Sequence, residues 1–167
     1  MEGEIQKIRP NFWFDMNAEE AVNFYLSVFK NSSIGRITRY TDEGREIHGM
    51  PEGTVMTVEF ELEGQQYIAL NGGDQFKFNE AVSLLINCES QDEVDYYWDR
   101  LKEGGDENAQ VCGWLKDKFG VSWQVVPREL DDMMASKDID KAKRVTRAML
   151  QMKKLDLNEL RKAYEGR

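Results

Sequence analysis

The strand-and-helix start of this chain recurs seventy-two positions later without a gap. Phe12-Trp13-Phe14 leads into Glu19 to Leu26, and Leu84-Leu85-Ile86 leads into Gln91 to Trp98. Within the helices, Val22-Asn23-Phe24-Tyr25 is answered by Val94-Asp95-Tyr96-Tyr97. A repeated supersecondary start means one unit burying the same face twice, which constrains the fold more than any single motif. Two related half-sheets also imply a groove between them, the expected place for a site.

Each copy carries its own periodicity. Residues 8–14 read as a strand. Residues 18–29 place Ala21, Val22, Tyr25, Leu26 and Phe29 on one helical face, with Asn17 as its expected N-cap. Ile34 to Tyr40 reads as a strand, Met56 to Leu62 alternates with period two, and Gln66 to Asn71 follows a Glu63-Gly64-Gln65 turn. Gly72-Gly73 ends the first module, 8–73. The second, 81–127, continues through a helix over 91–103 that stops at Gly104-Gly105. A hairpin of Val111–Lys116 with Val121–Val126 turns at Asp117 to Gly120, and Pro127 ends it. The remainder is helical: Asp138 caps a helix with the stripe Ala142, Val145, Met149 and Met152. Asp156 with Glu159 has capping-box spacing for a last helix burying Leu157, Leu160 and Tyr164. These stripes need cover, either on the domain or on a partner subunit.

At 167 residues, 1–130 is expected to be one domain of two modules, with 131–167 a helical extension. No apolar run approaches the ~20 residues needed to span a bilayer. The acidic Met1-Glu2-Gly3-Glu4 does not resemble a secretory signal, so a cytoplasmic protein is expected. Cys88 and Cys112 make neither a disulfide framework nor a metal knuckle and are expected as small buried residues. Charge is uneven: residues 1–136 carry 12 Lys+Arg against 26 Asp+Glu, and 137–167 carry 10 against 5. So acidic a body argues against nucleic acid as partner. The basic tail is expected to dock on acidic surface of its own or a partner subunit.

Three stretches carry a family likeness: FDMNAEEAVNFY from Phe14 to Tyr25, CGWLKDKFGVSWQVVP from Cys112 to Pro127, and AMLQMKKL from Ala148 to Leu155. They resemble the PhnB-like branch of the glyoxalase/bleomycin-resistance (vicinal oxygen chelate) superfamily. The resemblance implies an α+β fold of tandem βαβββ modules, a cupped mixed sheet around a cleft and, commonly, a homodimer, to which the periodicity above adds a C-terminal helical tail. Members of this branch often carry the label demethylubiquinone methyltransferase. Metal-dependent members of the superfamily hold a divalent cation with His, Gln or Glu from four cleft strands. Those positions fall here on Asn11 (or Pro10), Ala69, Ser83 and Gln124, so neither a metal nor another cofactor is expected. The one histidine, His48, lies in a Gly/Pro-rich connection and reads as a loop residue.

Strand alternation proposes what lines the cleft. With Phe12, Phe14, Ile68, Leu70, Leu84, Ile86, Trp123 and Val125 toward the helices, the inward set is Asn11, Trp13, Tyr67, Ala69, Asn71, Ser83, Leu85, Ser122 and Gln124. Of these, Asn11, Trp13, Tyr67, Asn71, Ser83, Ser122 and Gln124 are the expected ligand-binding residues, suited to a small polar organic molecule. No catalytic residue is assigned. Glu59 and Glu61 read as a solvated strand face rather than a base, Lys116 and Asp117 as a charged turn, and Trp114 and Trp123 as core or interface aromatics. No Ser-His-Asp or Cys-His set marks a nucleophile. Asn71-Gly72-Gly73-Asp74 follows a strand without opening a helix, so it is a turn, not a cofactor cradle, and methyl transfer is not expected. A metal-free binding protein is the leading expectation, with a lyase or isomerase using the same cleft as the alternative.

Overall fold

A computed structural model describes residues 6–167, which divide into two compact units, one ending at Lys77 and one running from Phe78 to Arg167. The first unit has β1 (Asn11–Phe14), α1 (Ala18–Val28), β2 (Ser32–Arg39), a one-turn α2 (Arg45–His48), β3 (Val55–Leu62) and β4 (Gln65–Asn71). Its sheet runs β1-β4-β3-β2, with β1 parallel to β4 and the other pairs antiparallel. The second unit has β5 (Leu84–Cys88), α3 (Gln91–Leu101), β6 (Trp114–Lys116), β7 (Ser122–Pro127), α4 (Glu129–Met134), α5 (Ile139–Met149) and α6 (Leu157–Glu165). Its sheet is β5-β7-β6, with β5 parallel to β7. The class is α+β, as expected, with helices added at the C-terminus.

The duplication is visible in the parallel ladders. Phe12↔Ala69, Trp13↔Leu70 and Phe14↔Asn71 correspond to Leu84↔Trp123, Leu85↔Gln124 and Ile86↔Val125. The first members stand seventy-two residues apart and the second members fifty-four. The second module is therefore shorter between its parallel strands, and among the described residues it has three strands where the first has four. The expected strand at Val111 begins only at Trp114. Cys112 and Gly113 turn the chain with φ of 50° and 83°, and their amides donate to the carbonyls of Met152 and Lys153, both at 2.8 Å, instead of to a ladder.

One face of the first sheet packs on α1. Ala18, Ala21, Val22, Tyr25 and Val28 of that helix are buried. Tyr25 stacks on Phe60 at 6.3 Å, and Phe60 on Tyr67 at 5.3 Å. In the second unit α3 buries Val94, Trp98 and Leu101, and Leu115, Trp123 and Val125 are equally buried. Val126, Leu130, Met133, Val145, Leu155, Leu157 and Leu160 form a further cluster, with Met149, Met152 and Tyr164 against it. The stripes of the tail are thus covered within their own unit. Asp138 Oδ1 accepts from the amides of Asp140 and Lys141, and Asp156 Oδ1 from that of Glu159, so both expected caps form. Gln91 ties α3 to the tail, donating to the Leu155 carbonyl at 3.2 Å and accepting from the Leu157 amide at 2.7 Å.

Candidate functional site

The sheet of the first unit corrects the expected alternation in β4. Tyr67, Ala69 and Asn71 are buried and share their face with Phe12, Phe14, Val58 and Phe60. Ile68 and Leu70, expected against the helix, are half-buried on the opposite face. The cause is the ladder: Glu59 pairs with Ile68 and Phe60 with Tyr67, so the aromatic of β4 must join the aromatic of β3. Burial raises the Tyr67 phenol above its ordinary value, in keeping with a core ring.

Asn71 is likewise a structural residue. Its Oδ1 accepts from the Ala18 amide at 2.9 Å, capping α1, while Nδ2 donates to Glu19 Oε2 at 2.8 Å and the Val55 carbonyl at 3.1 Å. Asn17 occupies the N-cap position but makes no side-chain cap bond, contrary to expectation. A cap supplied by a distant strand leaves no local sequence signal.

Trp13 and Asn11 do stand on the face away from α1, but Trp13 is committed. Its indole lies against Gly72, where a Cβ would meet ring carbons at 2.2–2.6 Å. Its Nε1 donates to the Gly73 carbonyl at 2.9 Å, and Phe76 packs edge-on at 4.9 Å. The Gly72-Gly73 turn is therefore shaped by an indole. Beside this, Arg9 and Glu59 pair at 3.3 Å and line a recess of ≈ 120 Å³ with Ser33, Gly35, Glu61 and Gln66. That is small against the ~300 Å³ at which ligand pockets begin.

The second unit keeps the expected alternation. Trp123 and Val125 are buried, while Gln124 is half-buried on the other face and Leu85, its ladder partner, is 49% exposed. Gln124 Nε2 donates to Ser83 Oγ at 2.9 Å. Ser122, two residues before Gln124 on the same face, pairs with Lys116 across the β6–β7 ladder. Ser122 is 2% exposed, and its hydroxyl has no hydrogen-bond partner. Lys116 Nζ pairs with Glu80, whose carboxyl is held below its ordinary value by the hydrogen bond from that ammonium. Gly105 lies so close to the Lys116 carbonyl that a Cβ there would come within 2.1 Å.

Asp117 is spent on its turn, as the sequence suggested. Its Oδ1 accepts from the amides of Phe119 at 2.8 Å and Val121 at 3.0 Å, and its Oδ2 from Trp123 Nε1 at 2.8 Å. Cys88 is buried and its thiol is pushed up to about 12, chiefly by burial and then by Glu93, so it is no nucleophile at neutral pH. His48, expected in a loop, is half-buried at the end of the one-turn α2, its Nδ1 accepting from the Met50 amide at 3.0 Å.

A metal fits these residues poorly. The ladders place Leu70, not Ala69, in the position corresponding to Gln124, so the positions implied by the resemblance become Asn11, Leu70, Ser83 and Gln124. None offers a carboxylate or imidazole. Among the described residues no three His, Cys, Asp or Glu side chains gather into a set suited to a metal.

The family model described as 3-demethylubiquinone-9 3-methyltransferase matches residues 6–126. The chain belongs to this family. It is a PhnB-like member of the glyoxalase/bleomycin-resistance superfamily. The PhnB protein of Bacillus cereus is 36% identical, over 71% of this chain and 97% of that one, with a TM-score of 0.61. The protein PA1353 of Pseudomonas aeruginosa shares the fold at 19% identity, over 71% of this chain and 95% of its own, with a TM-score of 0.54. No curated protein matches the chain. No helix among the described residues of this PhnB-like chain is long and apolar enough to cross a membrane.

Proposed function

We propose that this PhnB-like chain binds a small polar organic ligand on the sheet face of its second unit that carries Ser83, Ser122 and Gln124, without a transition metal. The observation that carries the reading is the Ser83–Gln124 hydrogen bond at 2.9 Å, on the face opposite the buried Trp123 and Val125. A polar pair on a half-buried sheet face, beside the exposed apolar Leu85, combines the few placed polar groups and the apolar wall that ligand sites use. The family description names a methyltransferase, but the chain's Gly-Gly turn is filled by the Trp13 indole, which leaves it unsuited to cradle a methyl-donor cofactor. Ligand binding therefore accounts for the residues better than methyl transfer does.

The test is mass spectrometry of small molecules released from denatured protein, followed by titration of the recovered compound into wild type and Gln124→Leu. The variant should lose ~1–3 kcal/mol of binding, the cost of an unpaired buried polar group, with folding nearly unchanged. Equal affinity in the two proteins would remove this face as the site.

A further inference from the structure

We infer that the same face recognises an oxyanion on its ligand, a carboxylate or a tetrahedral phosphate-type group, through Ser122, Ser83 and Lys116. The inference rests on the ligand-binding reading and adds the charge of the ligand.

The groups assembled there are mostly donors. A buried serine hydroxyl without a partner is rare, because folded proteins satisfy nearly all buried polar atoms. Ser122 Oγ is such an atom, and it lies on the face that carries Gln124. Gln124 Nε2 donates to Ser83 Oγ, leaving the Ser83 O–H to donate elsewhere. Turning the Gln124 amide over only exchanges the two roles, and a donor still remains unused. Lys116, opposite Ser122, supplies the positive charge.

Two carboxylates adjoin Lys116, Glu80 through an ion pair and Asp117 as the next residue in the chain, and their geometries differ. Asp117 faces its own turn, with both oxygens occupied by Phe119, Val121 and Trp123. Glu80 does pair with Lys116, but its side chain is 59% exposed against 22% for the lysine. An exposed loop carboxylate on a largely covered ammonium is a displaceable partner, since exposed pairs are weak. A ligand oxyanion takes its place and gains the two hydroxyls that Glu80 does not reach. Charge-assisted hydrogen bonds of this kind are about twice as strong as neutral ones, which favours an anion over a neutral carbonyl.

The test uses benzoate, benzamide and inorganic phosphate as probes in amide NMR titrations of the full chain. Benzoate should shift the Ser83, Ser122 and Gln124 backbone amides saturably and bind about tenfold tighter than benzamide. Lys116→Met should erase that preference, and Ser122→Ala should weaken benzoate. Glu80→Gln should tighten benzoate by about threefold by removing the competitor, an effect that a purely structural role would not produce. Phosphate binding more tightly than benzoate would identify the tetrahedral class, and weaker binding the carboxylate class. Equal binding of benzoate and benzamide would overturn the inference while leaving the ligand site standing. So would benzoate affinity indifferent to both Lys116→Met and Glu80→Gln. No shift at these amides from any probe would remove the site as well.

Discussion

Helix α1 receives its cap from Asn71, fifty-three residues away on β4, whereas α3 is capped by the residue before it, Ser90, whose Oγ accepts from the Glu93 amide at 3.3 Å. Glu93 completes the local arrangement by accepting from the Glu89 amide at 2.7 Å. The first module thus joins helix to sheet through one buried amide, and the second frees the equivalent strand position for Val125. The two modules therefore use their last strands differently. In the first unit that strand spends its polar side chain on architecture. In the second, the equivalent strand position is the apolar Val125 and the cap is local, while Ser83 and Gln124 bond to each other on the other face. The second unit also has one strand fewer and gains the packing of α4–α6.

The largest effect expected from this contrast is at Trp123. Its ladder counterpart in the first module is Ala69, where Phe12, Tyr25, Phe60 and Tyr67 already fill the space. In the second unit the large side chain at that ladder position is Trp123 itself, which also satisfies Asp117. Trp123→Ala should cost ~3–5 kcal/mol in denaturant unfolding. A loss well under that would mean that the cores of the two modules do not differ in this way.

Next come the caps. Asn71→Ala removes a helix cap and two further bonds at a 1%-exposed site, and should cost ~2–4 kcal/mol. Ser90→Ala removes one exposed cap bond and should cost ~1 kcal/mol. Equal losses from the two substitutions would break the comparison.

These residues also show how far the sequence could be read. Helix α1, helix α3, the C-terminal helices with their Asp138 and Asp156 caps, and the alternation of β7 were legible because the signals are local: period, N-cap spacing, terminating glycines. β4 was not, because Tyr67, Ile68, Ala69 and Leu70 are all apolar, and alternation has no phase where both faces look alike. Only the pairing of Phe60 with Tyr67 sets it, and that is tertiary. Matching Ala69 with Gln124 came from the same slip, since the ladders match Ala69 to Trp123 and Leu70 to Gln124. The unpartnered Ser122 hydroxyl had no sequence signal beyond its place in β7. Shortening of the second module likewise needed the ladders, which alone give the second spacing of fifty-four residues.

A smaller effect tests how the second unit holds its tail. Lys154 pairs with Asp95 of α3 at 2.7 Å, and this hydrogen bond, with a second from Gln91, lowers the carboxyl below its ordinary value. A carboxyl lowered in the folded state contributes stability above its unfolded pKa of about 4, and loses it as pH falls through the folded value. The pair is largely solvated, so the contribution is on the order of a few tenths of a kcal/mol. Asp95→Asn should flatten the acid limb of the stability profile below about pH 4 and leave pH 7 to 8 parallel to wild type. An unchanged acid limb would show that the tail is held by its apolar cluster, by Gln91 and by the Cys112 and Gly113 amides, without the Lys154 pair.

The smallest expected effect is none. In the metal-dependent relatives implied by the family likeness, four strand positions supply strong ligands; here the duplicated ladders assign them to Asn11, Leu70, Ser83 and Gln124. Leu70 has no donor atom, Asn11 and Gln124 offer neutral amides, and the Ser83 hydroxyl is already bonded to Gln124. Neutral amide and hydroxyl oxygens compete poorly with water for Zn, Ni, Fe or Mn, which favour imidazole, thiolate and carboxylate. Binding of a metal to the folded state alone would raise stability in proportion to the logarithm of its concentration. Treatment with chelator should therefore leave the melting temperature unchanged, and elemental analysis of purified protein should find no stoichiometric transition metal. One tightly held equivalent per chain would refute both the ladder assignment of these positions and the metal-free reading of the site.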